Sequence, residues 1–252
     1  MFFNSINIFG SRTEMARLPF ATDIHCHVLP GVDHGAKDGE MACRLLEYQK
    51  KWGIDRVIFT PHVTENVYPN DNMTISRAFV EFMNQYRDQL PDMKEFGYSA
   101  EYRLDANFKA QINEDKLLPL PGNRLLVEMP FAADPGAEII DSMLYDIQVK
   151  GLTPVLAHPE RYLYFHSDDL AGYRRLYEKG IEFQINLLSL AGYHGIEEMK
   201  MANRLIDKGM VDYCATDLHH FRHTAAIDGY LSSRRCRPTL KKLADLVKND
   251  KL

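Results

Sequence analysis

The segment "DIHCHVLPGVDHG", residues 23–35, contains an H-x-H pair formed by His25 and His27. Side chains alternate across a β-strand, so both imidazoles would project to one side and could bind one cation from two directions. Cys26, which stands between them, would face the opposite side. A lone H-x-H pair is a weak signal, because strand histidines are more often only hydrogen-bonded. The pair therefore needs further ligands before it indicates a metal site.

A second pair with the same spacing, Asp217 and His219, lies at the end of the last apolar run of the chain. Further imidazoles and carboxylates stand at or near the ends of other apolar runs: His62, Glu101, Glu128 and His158. This mixed set contains more candidate ligands than one ion can bind. It predicts two or three divalent ions, with Mn²⁺, Zn²⁺ or Fe²⁺ favoured over Ca²⁺.

Each of these residues also has a simpler interpretation. His62 and His158 neighbour prolines and could be turn residues. Glu101 and Glu128 end apolar runs, where an unpaired carboxylate is costly, so a buried salt bridge is the alternative to a metal ion. Asp33 lies in the Gly-bounded segment "PGVDHGA", where aspartate commonly stabilises a turn. The residue types alone leave these alternatives open.

A set of metal ligands without a redox centre or a dinucleotide-binding loop favours hydrolysis, in which a hydroxide bridging the ions attacks phosphorus or carbon. Phosphoryl transfer also requires cations beside the equatorial phosphate oxygens. Arg161 follows "AHPE" and Arg222 follows "DLHH", and we predict this role for both, with ordinary surface pairing as the alternative. A cysteine-based phosphatase is disfavoured because the chain has no C-x5-R motif. The residues six positions after its four cysteines are Val32, Gln49, His220 and Lys242.

Short β-branched runs alternate with longer stretches of helical periodicity, which predicts a parallel α/β protein. The predicted strands are 22–27, 56–62, 96–102, 125–129, 154–158, 182–187 and 212–219. The predicted helices are 38–53, 74–90, 137–151, 167–180, 196–209 and 238–249. In parallel α/β barrels the carboxyl ends of the strands form the active face, so the predicted ligands would meet at one mouth.

The chain of 252 residues is long enough for one large domain. Its net charge of −5 gives no broad basic field for nucleic acid or an anionic membrane, and no segment approaches the ~20 apolar residues of a membrane span. The apolar start, "MFFNSINIFGSR", lacks a basic leader and a cleavage site. We expect a poorly ordered arm over residues 1–20, a single domain over 21–252, and reduced thiols in a cytoplasmic protein.

Several blocks occur in the order typical of the bacterial polymerase-and-histidinol-phosphatase (PHP) family: "DIHCHVLPGVDHGAKD", "FTPHVTENVYPN", "AEYRLD", "LVEMPF", "PVLAHPERY", "INLLSLAGYHG" and "GMVDYCATDLHH". Within this family the chain resembles the metal-dependent protein-tyrosine phosphatases of capsule and exopolysaccharide loci. The resemblance implies a distorted seven-stranded (βα)7 barrel with three metal ions at its mouth. Mn²⁺ is the preferred ion, with Fe, Zn and Mg as alternatives.

The resemblance also implies a role for each site residue. The first ion would be bound by His25, His27 and Asp217. Glu101 would bridge it to a second ion, bound by Glu128 and His158. The third ion would be bound by Asp33, His62 and His219. Arg161 and Arg222 would bind the phosphate of a phosphotyrosine, on a tyrosine autokinase that controls polysaccharide chain length and export.

The chain departs from the family pattern at His34, where a second acidic residue is usual, and at His220, where asparagine is common. The first change predicts an altered metal preference, and the second leaves open a hydrogen bond near the third ion. Two alternative functions are a phosphatase of a small molecule, such as histidinol phosphate or a sugar phosphate, and a non-catalytic scaffold of an export complex. A nuclease is disfavoured because the chain has no basic stripe.

Overall fold

Parallel strands and the helices between them build the computed structural model, which describes residues 14–114 and 116–252. The strands are β1 (Thr22–Asp23), β2 (Arg56–Phe59), β3 (His62–Val63), β4 (Glu95–Tyr98), β5 (Glu101–Arg103), β6 (Arg124–Glu128), β7 (Thr153–Ala157), β8 (Glu182–Asn186) and β9 (Tyr213–Ala215). They form a sheet of order β1-β2-β4 and a sheet of order β3-β5-β6-β7-β8-β9. Every pairing within them is parallel, so the predicted parallel α/β architecture is confirmed.

Two of the seven predicted strands are each divided between the sheets. The run 56–62 becomes β2 and β3, separated by Thr60 and Pro61, and the run 96–102 becomes β4 and β5. Pro61 has no N–H to donate to a neighbouring strand, although its carbonyl accepts from the Glu101 N–H at 3.1 Å. Because only two residues separate β2 from β3 and β4 from β5, the chain crosses from one sheet to the other without a long loop.

The segments that follow β1 and β9 also pair with each other. The His27 N–H donates to the Leu218 carbonyl at 2.9 Å, and the Asp217 N–H donates to the His25 carbonyl at 2.9 Å. These bonds bring the two predicted ligand pairs together. The structure has two sheets rather than one continuous closed sheet, so the closed seven-stranded barrel stays a prediction.

The helices are α1 (Gly39–Trp52), α2 (Asn72–Tyr86), α3 (Ala106–Asn113), α4 (Ala137–Val149), α5 (Ala171–Glu178), α6 (Leu187–Ala191), α7 (Ile196–Asp207), α8 (Phe221–Leu231) and α9 (Cys236–Leu246). Helices α3, α6 and α8 were not among the predicted helices. Helix α6 was missed because it follows β8 without a loop: the Asn186 side chain ends the strand and accepts from the Leu188 N–H.

Helix α1 shows how the sequence determines the predicted elements. The Asp38 side chain caps it by accepting from the Met41 N–H, and Gly53 ends it with φ 100°, a left-handed conformation that favours glycine. Its buried face includes Leu45, Leu46 and Trp52. Burial of three such side chains contributes several kcal/mol, at about 1.5–3 kcal/mol each.

The start of the chain falls partly outside the structure. Residues 1–13 of the predicted arm lie outside the described residues, whereas Leu18 and Phe20 at its end are buried in the hydrophobic core. Over the ranges 14–114 and 116–252, each helix is too short or too polar to cross a membrane.

Candidate metal centre

Side-chain atoms from the segments after β1 and β9 converge with one from the start of β5. His25 Nε2 and His27 Nε2 lie 3.2 Å apart. Glu101 Oε2 lies 3.4 Å from each of them, and Asp217 Oδ1 lies 3.5 and 3.4 Å from them. Ligands bound at about 2.1 Å in tetrahedral geometry are about 3.4 Å apart. His25 Nε2, His27 Nε2 and Asp217 Oδ1 are therefore spaced as ligands of one metal ion, and Glu101 Oε2 lies beside the same two histidines.

The hydrogen bonds of these histidines leave one nitrogen of each directed at the centre. His25 Nδ1 lies 2.7 Å from Gln184 Oε1, and His27 Nδ1 lies 2.7 Å from Asp33 Oδ2. Both oxygens are acceptors, so each Nδ1 donates to its partner and each Nε2 is the nitrogen that faces the centre and can bind a cation in place of a proton. A partner of this kind orients metal-binding histidines.

Glu101 lies between this group and the other predicted ligands. Its Oε1 is 3.0 Å from His158 Nε2, and its Oε2 is 2.9 Å from His62 Nδ1. Glu128 Oε1 is 3.6 Å from the same His62 nitrogen. Potential metal-binding groups are thus formed by His25, Glu101 and His158, and by His62, Glu101 and Glu128.

A further group consists of His27, His62 and His219. The His219 ring stacks on that of His27 with centroids 3.9 Å apart. His219 Nδ1 donates to the Asp217 carbonyl at 2.8 Å, so its Nε2 keeps a lone pair. Eight of the nine predicted ligands are therefore members of these groups, which share residues.

Several buried polar atoms of the centre lack a hydrogen-bond partner among the described residues. They are Glu101 Oε2, His62 Nδ1, His158 Nδ1 and His219 Nε2. Glu101 Oε2 and His62 Nδ1 lie 2.9 Å apart, but not in hydrogen-bond geometry. Buried polar atoms are normally paired, and leaving one unpaired costs about 1–3 kcal/mol. Convergent lone pairs of imidazole and carboxylate suit divalent cations. The residues present therefore fit a metal centre.

Asp33, the ninth predicted ligand, lies behind His27. Besides binding His27 Nδ1, its carboxylate accepts from the N–H groups of His62 at 3.0 Å and Gly35 at 2.9 Å. A Cβ at position 35 would lie only 1.8 Å from the His27 carbonyl oxygen, so this turn requires glycine. In this structure Asp33 orients His27, and its predicted role as a direct ligand stays a prediction.

Two candidate ligands have left-handed backbones, with φ 35° at His158 and φ 49° at Asp217. This region is strained for residues other than glycine. Three hydrogen bonds maintain this conformation at Asp217. Asn186 Nδ2 and Arg161 Nη1 donate to its Oδ2, and its backbone N–H donates to the His25 carbonyl. Such strain recurs at functional sites, where the surrounding contacts maintain it.

Buried charges shift the pKa values of the centre in opposite directions. Burial opposes protonation of His25, but Glu101 and Asp217 outweigh it and raise its pKa to about 9. Burial, followed by the Arg161 charge, lowers the pKa of His158 to about 4. Burial, reinforced by Glu101, raises the pKa of Glu128 to about 7. Without metal ions the centre therefore retains protons that a cation would displace.

A cavity of about 380 Å³ opens over these ligands. Arg161 lines it and donates from Nη1 to Asp217 Oδ2 at 3.2 Å, while its guanidinium lies 4.7 Å from the centre of the Phe131 ring. Phe131 and Tyr193 contribute exposed aromatic side chains to the rim. Arg222 is exposed on α8 and does not belong to the lining of this cavity in the described part of the chain.

The two departures from the family pattern lie at the same cavity. The His34 ring stacks on His62 and Tyr68, with centroids 5.1 and 5.5 Å apart. His220 directly precedes α8, and its ring lies 4.0 Å from that of His223. Both histidines therefore lie beside predicted ligands.

Sequence reasoning missed several residues that shape the centre: Gln184, Asn186, Arg103, His194 and His223. Arg103 had a detectable signal, because it stands two residues after Glu101 on the same strand and thus on the same side. Gln184 and Asn186 also alternate along β8, within the block "INLLSLAGYHG" and the residues before it.

The prediction that Cys26 faces away from the histidine pair is confirmed. Cys26 is fully buried in the hydrophobic core, and its thiol donates weakly to the Ile58 carbonyl at 3.8 Å. Burial raises the pKa of this thiol well above its usual value. All four cysteines are buried free thiols, so Cys26 has the environment of a packing residue and not of a nucleophile.

The metal-free protein is expected to lose thermal stability between pH 7 and 9.5. A raised His25 pKa stabilises the fold fully below the unfolded value of 6.5, and this contribution disappears as the pH rises through about 9. Scanning calorimetry of chelator-treated protein should show a fall of several degrees, at about 2–4 °C per kcal/mol. Mn²⁺-loaded protein is the control, since the ion replaces the proton. An equal fall in both forms would contradict the prediction.

Comparison with known proteins gives concordant matches. Residues 21–243 match the model of the family "Capsular polysaccharide synthesis, CpsB/CapC". The chain is 31% identical over 202 residues to the tyrosine-protein phosphatase YwqE of Bacillus subtilis, covering 79% of this chain and 78% of that protein. It is 26% identical over 205 residues to the tyrosine-protein phosphatase CpsB of Streptococcus pneumoniae, covering 79% and 82%.

A solved structure is similar over nearly the whole chain. It belongs to the crystal structures of YwqE from Bacillus subtilis and CpsB from Streptococcus pneumoniae, described as metal-dependent tyrosine phosphatases. The TM-score is 0.73 at 28% sequence identity, and the match covers 90% of this chain and 94% of that chain.

Proposed function

The chain belongs to the CpsB/CapC family of capsular polysaccharide synthesis proteins, and from this membership we propose that it is a metal-dependent tyrosine-protein phosphatase. The observation that carries the proposal is the convergence of Glu101 and Asp217 on His25 and His27, with each carboxylate 3.4–3.5 Å from both imidazole nitrogens beneath an open cavity. The names of the relatives supply the substrate class.

Bound divalent ions would supply Lewis-acid activation of the phosphate and of the attacking water. The protein's own residues prepare the site for this chemistry. Gln184 and Asp33 hold the two imidazoles with their Nε2 lone pairs inward. Arg161 offers its remaining N–H groups to the phosphate oxygens, where negative charge must be stabilised. Its stacking on Phe131 restricts the guanidinium to the cavity wall.

We extend the proposal to three ions, with Mn²⁺ preferred, bound as the PHP resemblance implies. His25, His27 and Asp217 would hold the first ion, Glu101, Glu128 and His158 would hold the second, with Glu101 shared between the two, and Asp33, His62 and His219 would hold the third. To bind the third ion, Asp33 would have to turn one carboxylate oxygen away from the N–H groups of Gly35 and His62, from which it now accepts hydrogen bonds. The pairing of Leu218 with His27 supports closure of the two sheets into a seven-stranded barrel.

We further propose that the substrate is a cytoplasmic phosphoprotein, a tyrosine kinase of polysaccharide export. Exposed side chains at the rim support an extended substrate: Val67, Phe131 and Tyr193 line the opening and are 59%, 43% and 41% exposed. The aromatic ring of a bound phosphotyrosine, which would extend outward from the phosphate site, would contact these apolar side chains. A small polar substrate such as histidinol phosphate would leave them in water.

Chelation is expected to abolish hydrolysis of a phosphotyrosine peptide, because the centre has unpaired lone pairs that only a cation satisfies. Protein purified without a chelating tag should lose activity about 100-fold or more after metal removal, and Mn²⁺ should restore it. Histidinol phosphate, assayed in parallel, should turn over more slowly than the peptide. Full activity after exhaustive chelation, or preference for histidinol phosphate, would overturn the proposal.

A further inference from the structure

Arg103 is a cation of the cavity to which neither the motifs nor the family resemblance assigned a role. It stands at the end of β5, two residues after Glu101, and lies opposite Glu128 of β6 in the strand register. Its side chain is half-buried and lines the cavity. Among the described residues its guanidinium forms neither an ion pair nor a hydrogen bond that would occupy its five N–H donors.

The strand order places Arg103 and Arg161 on either side of Glu128. Arg103 ends β5, Glu128 ends β6, and Arg161 follows β7, which is the next strand of the same sheet. Both guanidinium charges act on the Glu128 carboxylate. The two arginines therefore border the same candidate ligand from opposite directions.

The other cavity arginine is already partly engaged, because Arg161 donates to Asp217 and stacks on Phe131. Arg222 is exposed and lies outside the cavity lining that the described residues form. A phosphate dianion entering beside Glu128 would meet Arg103 as a guanidinium with free donors, in the planar geometry that binds two phosphate oxygens at once.

We propose that Arg103 binds the substrate phosphate together with Arg161, and is the second phosphate-binding cation that the sequence had assigned to Arg222. The inference rests on the proposed phosphatase function and adds a residue to it. Arg103 has no bond to break before it binds phosphate, so its contribution appears both in the ground-state affinity for phosphate and in turnover. A purely structural arginine neutralising Glu128 would instead affect metal retention.

The test compares Arg103→Met and Arg103→Lys in Mn²⁺-loaded protein, with Arg77→Met, an exposed arginine of α2, as the matched control. Calorimetric binding of inorganic phosphate, which requires no turnover, is measured beside kcat and KM for a phosphotyrosine peptide and the metal content. We expect Arg103→Met to weaken phosphate binding about 10-fold and to lower kcat/KM about 100-fold with full metal content. Arg103→Lys should recover part of the phosphate affinity.

Unchanged phosphate binding in Arg103→Met would overturn the inference, and so would loss of metal ions from that variant. It would also be overturned if Arg222→Met, measured in parallel, weakened phosphate binding while Arg103→Met did not. Failure of the proposed function is distinguishable: wild-type protein would then bind phosphate through Arg103 without hydrolysing the peptide.

Discussion

Replacing Glu101 with glutamine is expected to remove metal ions from the protein and to abolish its phosphatase activity. Glu101 is completely buried, and its two oxygens lie within 3.4 Å of nitrogens of His25, His27, His62 and His158. Glutamine has nearly the same shape, so the packing survives. Its amide nitrogen donates hydrogen bonds and cannot bind a cation, and the negative charge that balances the ions is lost. We expect kcat/KM to fall on the order of 10³-fold or more.

Elemental analysis of the purified variant, beside the phosphotyrosine-peptide assay, checks this expectation. Glu95→Gln is the matched control, since Glu95 is an exposed carboxylate of β4 that pairs with Arg56. The control should keep its metal ions and activity. A Glu101→Gln protein with full metal content and full turnover would show that the centre does not depend on this carboxylate.

The clustering of the candidate ligands was predictable because their positions follow strand geometry. His25 with His27, and Asp217 with His219, are separated by two positions, and alternation places the members of such a pair on one side of an extended chain. Parallel strands place their carboxyl ends at a common edge. These two rules predicted that residues almost two hundred positions apart meet at one centre, and the hydrogen bond from the His27 N–H to the Leu218 carbonyl completes the approach.

The orientation of Asp33 was not predictable by the same rules. It lies in a turn, where the direction of a side chain depends on the local backbone and on which N–H groups are available. Here Gly35 approaches the His27 carbonyl closely, and its N–H together with that of His62 binds the Asp33 carboxylate. That arrangement depends on the contact between the turn that holds Asp33 and the first residue of β3, His62, which no local pattern contains.

The arginines illustrate a second limit of sequence reasoning. Arg161 and Arg222 were both chosen because they follow a predicted ligand closely in the chain. A side chain on a helix, however, faces the cavity or the solvent according to its helical position, and Arg222 of α8 is exposed. Arg103 shares a strand with Glu101, and alternation places it on the side of the ligands. Position on an element was therefore more informative than closeness in sequence.

Arg161→Ala is expected to lower kcat/KM about 10²- to 10³-fold while the protein keeps its metal ions. Arg161 lines the cavity beside the ligands, and its guanidinium has no lone pair with which to bind a cation. Its removal takes away one of two donors to Asp217 Oδ2, and Asn186 still holds that oxygen. The ligand should therefore stay in place, and the loss should reflect the missing contact to the phosphate.

The readout that separates this role from a structural one is the metal content measured on the same samples as the kinetics. Arg161→Lys should recover only part of the activity, because an ammonium group lacks the paired donors of guanidinium and cannot stack on Phe131 in the same way. His158→Ala provides the contrast, since its loss of activity should be accompanied by loss of metal ions. If Arg161→Ala also lost its metal ions, Arg161 would act by holding Asp217 rather than by binding phosphate.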